Sequence, residues 1–252
     1  MVANAKQSPP DRCSPPDDVF CDGGWHFRDG IALHRCDALR RSEIRAKIVA
    51  EQERLAGALA TLEEHGGASF DGWDRTRHKG AGEAWDAVRR FAAGRPPKRN
   101  VLLIGPNGLG KTRLMLASHF ALLGAGIASQ YVTTPELRFW FRRQMSFDEE
   151  VAREARGWLE RFHYAQAIHF DDAGHVENDQ RARGEFTEGL KHLLDTSRAA
   201  WAVSSNRSNA EMQQHPDLSG TVASRFMLDA DLVVMSGRDF RQTTMHKEGD
   251  DA

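Results

Sequence analysis

Val101-Leu102-Leu103-Ile104-Gly105-Pro106-Asn107-Gly108-Leu109-Gly110-Lys111-Thr112 decides how the rest of this 252-residue chain reads. An apolar run of strand character leads into a glycine-rich turn, and Lys-Thr opens a helical pattern from Arg113 to Leu123. Gly105, Gly110, Lys111 and Thr112 meet the spacing Gly-x-x-x-x-Gly-Lys-Ser/Thr. Glycines let the backbone curl so that successive N–H groups point at one anion, and the helix adds its positive N-terminal end. Residues 105–112 therefore form a phosphate cradle, with Pro106, Asn107, Gly108 and Leu109 as its span. Lys111 is placed to reach the β- and γ-phosphates, and the Thr112 hydroxyl to hold Mg²⁺. Chance meets the four fixed positions in about one chain in a hundred. The strand before the match and the helix after it make a nucleotide site the stronger reading.

Downstream, Ala165 to Phe170 reads as a buried strand closed by two carboxylates, Asp171 and Asp172. After a phosphate loop, such a pair supplies the second half of a nucleotide site: Asp171 to hold Mg²⁺ and Asp172 to polarise the attacking water. His169 reads as a core or strand-face histidine. A further strand, Ala200 to Asn206, ends in polar residues at the sheet edge where ligands bind. Asn206 can orient the hydrolytic water there, or simply cap the turn before Ala210. Leu218 to Leu228 is expected to be helical with Arg225 turned away from the core, either paired at the surface or reaching a neighbour's γ-phosphate.

Between these halves, Gln130 to Thr133 reads as a strand, Thr134 as an N-cap and Pro135 as the first helical residue. In that helix Leu137, Trp140, Phe141 and Met145 share one face, and Arg138, Phe139, Arg142 and Arg143 the other. An aromatic among three arginines suits backbone tracking and base stacking on a single strand. A merely solvated arginine face is the alternative. A second helix, Phe147 to Phe162, follows, with acidic residues in its first turn.

Upstream, residues 1–18 are polar and proline-rich and are expected to be disordered. Cys13, Cys21, His34 and Cys36 offer four ligands for Zn²⁺, with His26 as a substitute. The match is loose, because seven residues separate Cys13 from Cys21, and a knuckle without metal is the alternative. Ser42 to Glu64 is expected to be an amphipathic helix, packing on its neighbours or docking a partner, and Gly66-Gly67 breaks it. Residues 82–94 form another helix, ended by Pro96-Pro97. Just upstream of that helix, Phe70 and Trp73 are read as core residues or the border of an adenine pocket. The organisation is an N-terminal region over 1–65, an ATPase-like domain over 69–245 and a tail over 246–252.

A 40% hydrophobic content is ample for a core, and a net charge of −2 excludes a strongly basic coat, so nucleic acid must meet a local patch. No apolar run reaches the roughly 18–20 residues of a membrane span, and the N-terminal residues lack a secretory h-region. Three cysteines then point to a reducing compartment and a cytoplasmic protein.

Five strands alternating with helices predict an α/β three-layer sandwich with a mostly parallel sheet. The ordered set of motifs resembles the AAA+ ATPases of the bacterial replicative helicase loader family (DnaC-like, with IstB-like transposition helpers as relatives). Its carriers run from the phosphate loop through Tyr131-Val132-Thr133-Thr134-Pro135-Glu136-Leu137 and Phe170-Asp171-Asp172-Ala173-Gly174. They continue through Ser204-Ser205-Asn206, Ala223-Ser224-Arg225-Phe226 and Gly237-Arg238-Asp239-Phe240-Arg241. The resemblance implies ATP and Mg²⁺ as cofactors, Lys111 and Thr112 as Walker A residues, and Asp171 and Asp172 as Walker B. Asn206 becomes sensor 1 and Arg225 an arginine finger completing a neighbour's site in a self-associated assembly. The helix pair over 135–162 then faces single-stranded DNA, and the N-terminal region grips a hexameric replicative helicase. The usual AAA+ helical lid is expected to be reduced or missing, which fits this family, and the chain departs from it in Asp-Asp where Asp-Glu is usual. A shorter second carboxylate implies slow, switch-like hydrolysis. The alternatives are an ATP-binding helper of a transposase, a small-molecule kinase, for which no arginine-rich lid is found, and a nucleotide-binding scaffold without turnover.

Overall fold

A computed structural model describes residues 20–22, 25–28, 31–35, 43, 45, 46, 48, 49, 69–173, 180–208, 210, 211 and 219–239. Near the N-terminus, β1 (Phe20–Asp22), β2 (Trp25–Arg28) and β3 (Ile31–Arg35) form an antiparallel three-stranded sheet where the sequence reading placed only a knuckle. Its register sets Cys21 opposite His26 and His26 opposite His34. Cys13 and Cys36 lie outside the described residues, as does most of the helix expected over 42–64. Of that helix, Ile48 is buried, and Arg45 Nε donates to the Tyr164 carbonyl at 3.0 Å.

The main body is built on β4 (Asn100–Ile104), β5 (Ser129–Thr133), β6 (Ala167–Asp171), β7 (Ala200–Ser205) and β8 (Ala230–Val234). All four pairings between them are parallel, in the spatial order β5-β6-β7-β4-β8. A parallel sheet buried on both faces needs strands that are apolar throughout. The three central strands comply: nearly every residue of β4, β6 and β7 is buried.

One face of the sheet is covered by α1 (Ala81–Ala93) and α2 (Lys111–Gly124), which bury Val88, Phe91, Leu114 and Leu122 against it. The opposite face carries α3 (Thr134–Gln144), α4 (Glu149–Tyr164), α5 (Gln180–Thr196) and α6 (Ser219–Met227). Their core side chains include Leu137, Phe162, Phe186 and Phe226. This is the predicted three-layer sandwich, with a sheet that is parallel throughout. Consecutive strands β5, β6 and β7 step inward toward β4, and the last crossover then passes β4 to the opposite edge. The chain thus reverses direction across the sheet beside β4, which places a ligand crevice at that strand's carboxyl end. Among the described residues no helix is long and apolar enough to cross a membrane.

Helix starts follow local chemistry. At α3 the capping oxygen is that of Thr133, one residue earlier than expected, accepting from Glu136 N at 3.4 Å. Thr134 is instead the first helical residue, and its hydroxyl donates to the Asp172 carbonyl at 2.9 Å. Asp148 caps α4 by accepting from the amides of Glu150 and Val151.

Candidate nucleotide site and nucleic-acid interface

The loop from Gly105 to Gly110 turns out of β4 and enters α2 with left-handed backbone at Gly108 (φ 76°) and Gly110 (φ 84°). A Cβ at Gly110 would sit 2.7 Å from the Trp73 ring, so both the torsion and the space demand glycine there. A strap over residues 69–80 braces the loop. Trp73 Nε1 donates to the Ala81 carbonyl at 3.1 Å, Arg113 donates to the Asp71 carbonyl at 2.8 Å, and His78 Nε2 lies 3.1 Å from the Leu109 carbonyl. The sequence reading left Trp73 between a core role and an adenine border. Its ring packs on the phosphate loop itself.

Lys111 is buried, and its ammonium donates to the Gly105 and Pro106 carbonyls at 2.6 and 2.8 Å. The cation therefore lies within the ring of the loop, where a phosphate would compete for it. A cleft of about 540 Å³ lies elsewhere, on the α3 surface. The cleft at the loop measures about 480 Å³ and is lined by Asn107, Gly108, Gly110, Lys111, Thr112, Arg113, Leu116 and Asp172. Its donor set fits a Mg-nucleotide: backbone amides and an ammonium for phosphate oxygens, a hydroxyl and carboxylates for a hard cation.

The acidic pair divides into two environments. Asp171 ends β6 and is only 2% exposed, yet both carboxylate oxygens are engaged. Tyr131 donates to Oδ2 at 2.6 Å from β5, and Ser204 donates to Oδ1 from β7. Burial, reinforced by the Asp171 charge, pushes the Tyr131 phenol far above its ordinary value, so it remains a donor. Asp172 is exposed and adopts left-handed backbone (φ 56°), with its amide donating to Ser204 Oγ at 3.1 Å. That turn directs the chain so that Asp172 lines the cleft while Asp171 stays beneath it.

Asn206 is exposed at the end of β7, one residue past Ser205, whose carbonyl accepts from Gly105 N at 3.1 Å. Arg225 on α6 forms an ion pair with Asp195 of α5 at 2.6 Å. Of the expected site residues, Asn107, Gly108, Gly110, Lys111, Thr112 and Asp172 line one cleft, Asp171 supports it from below, Asn206 is not among its lining residues, and Arg225 is held in a separate pair.

The helix-pair surface needs two corrections. Arg138, expected to face outward, is only 6% exposed, its guanidinium 4.7 Å from the Phe186 ring centre. Met145, expected to face inward, is 66% exposed, because α3 ends at Gln144 and the chain turns away there. Phe139 and Arg142 are exposed as expected. Arg143 lies over the Phe139 ring at 5.2 Å and pairs with Glu154 of α4. These residues, with Pro135, Ser146 and Val151, line the 540 Å³ cleft. The fully exposed Phe147 stands nearby in sequence, an aromatic that helix periodicity assigned to α4 and not to the surface.

No family model and no curated protein matches the chain. Solved structures do. The crystal structure of the DnaC helicase loader superposes with a TM-score of 0.56 at 18% identity, covering 67% of this chain and 96% of that one. DnaI gives 0.52 at 21%, covering 70% and 92%. The replication initiator DnaA bound to AMPPCP and single-stranded DNA gives 0.50 at 16%, covering 71% and 55%. At such identities the likeness establishes the fold, which is that of the DnaC-like AAA+ proteins.

Proposed function

The chain has the DnaC-like AAA+ fold, and from that premise we propose that it is an ATP-dependent loader of a replicative DNA helicase onto single-stranded DNA. The observation that carries the reading is one pairing within this fold: a phosphate cleft containing Lys111, Thr112 and Asp172, and an aromatic-arginine cleft on the helix pair that follows β5. The first binds Mg-ATP, with Lys111 on the phosphates and Thr112 and Asp171 holding the cation. Asp172 polarises water and Asn206 orients it. The bound cation neutralises charge developing on the phosphates. Phe139, Arg142 and Arg143 hold the single strand by stacking and phosphate contact. Subunits associate head to tail, and Arg225 exchanges Asp195 for the neighbour's γ-phosphate. Nucleotide state then sets whether the loader grips or releases the helicase.

The test is direct. The protein, its host's replicative helicase hexamer and circular single-stranded DNA are combined with and without ATP, and DNA-bound helicase is measured. Loading that requires ATP and is lost in Lys111→Ala is expected. Loading that proceeds equally in that variant would sink the switch.

A further inference from the structure

The Asp171 carboxyl group is buried with two partners that neither its spacing nor its strand predicts. β6 runs between β5 and β7, and each neighbour contributes one hydroxyl, Tyr131 to Oδ2 and Ser204 to Oδ1. A carboxylate has about four lone-pair sites, and the two hydroxyls occupy one on each oxygen. Such a clamp fixes the plane of the carboxylate and leaves acceptor capacity in reserve. Ser204 does more, because its oxygen also accepts the Asp172 amide. One hydroxyl therefore ties the side chain of Asp171 to the backbone of Asp172.

We infer that Tyr131 and Ser204 are the positioning residues for the Mg²⁺ carboxylate: they hold Asp171 in the orientation that makes it a ligand, directly or through water. The inference rests on the Mg-nucleotide reading above. Partners of ligating carboxylates set metal affinity because they orient the ligand before the cation arrives. Neither residue is among those lining the phosphate cleft, so their loss acts through Asp171. Tyr131→Phe keeps the ring that packs beside His119, at 6.0 Å between centroids, and deletes only the oxygen. Ser204→Ala removes the second hydroxyl and also frees the Asp172 amide.

The experiment titrates MgCl₂ into full-length protein with the fluorescent nucleotide mant-ATP, beginning in EDTA. Wild-type affinity for mant-ATP is expected to rise with Mg²⁺. In Tyr131→Phe and in Ser204→Ala the affinity in EDTA should stay within about twofold of wild type, while the Mg²⁺ concentration for half-maximal enhancement rises about tenfold or more. Ser204→Ala alone should also slow turnover at saturating Mg²⁺, through Asp172. A merely structural role would instead lower binding in EDTA and the melting temperature together, which overturns the inference. Unchanged Mg²⁺ midpoints in both variants, with a normal wild-type response, overturn it while leaving the nucleotide site intact. A wild type that binds no mant-ATP under any condition overturns both.

Discussion

Gly110 shows how a single residue carries the site. Its left-handed backbone costs a Cβ-bearing residue about 1–2 kcal/mol, and Trp73 occupies the space a side chain would need. Gly110→Val is therefore expected to lower unfolding free energy by at least that much and to abolish mant-ATP binding, read by urea denaturation and fluorescence titration. The glycine and Lys111 were legible because a phosphate loop is a local structure, written in consecutive residues. Tyr131 was not, since it meets Asp171 across 40 positions and only strand pairing brings them together. Trp73 was ambiguous for a similar reason: its partner Gly110 lies on another element. Arg138 was misplaced because helix periodicity assigns a face but does not know that Phe186, from α5, waits beneath it. The guanidinium packs on that ring as a cation–π pair, and Arg138 is still among the residues lining the cleft.

Between α2 and the sheet, a buried polar chain links two elements of the site. Ser118 Oγ lies 2.9 Å from His169 Nε2, His169 Nδ1 3.1 Å from Ser129 Oγ, and Ser129 Oγ 2.9 Å from His119 Nδ1. All four residues are buried. Burial holds His119 down to about 3 from its ordinary 6.5, and burial with the neighbouring His119 holds His169 well below 6.5 as well. The folded state therefore keeps both rings neutral while the unfolded chain protonates them below pH 6.5. The His119 contribution is whole above pH 6.5 and is lost as pH falls toward 3, at about 1.4 kcal/mol per pH unit, and that of His169 is lost in the same direction. Between pH 7.5 and 5.5, His119→Gln should lose about 1.4 kcal/mol less unfolding free energy than wild type, measured by urea titration at each pH. Equal losses would show that His119 is protonated in the folded protein. In the main body the helices and the five strands were legible in apolar period and caps, within a residue or two at their ends. The β1–β3 sheet was not, because its strands are only three to five residues long and mix apolar residues with charged residues and histidines.

At the scale of the molecule, the architecture followed from the alternation of strands and helices. What the alternation could not convey is which chemistry shares a cleft. Asp171 and Asp172 are adjacent in sequence, yet one lies under the site and the other lines it. The surface proposed to face DNA similarly narrows to Phe139, Arg142 and Arg143 once Arg138 turns inward. Replacing both Arg142 and Arg143 by Ala should weaken single-strand binding about tenfold at moderate salt and flatten its salt dependence, with ATP binding unchanged.

The central claim is that the phosphate loop governs the nucleic-acid surface. Its most direct test is fluorescence anisotropy of a labelled single-stranded oligonucleotide, titrated with full-length protein in the presence and absence of Mg-ATP. Wild type should bind the strand more tightly with Mg-ATP, and Lys111→Ala should show one affinity under both conditions, equal to that of nucleotide-free wild type. Identical wild-type affinities with and without Mg-ATP would contradict the account.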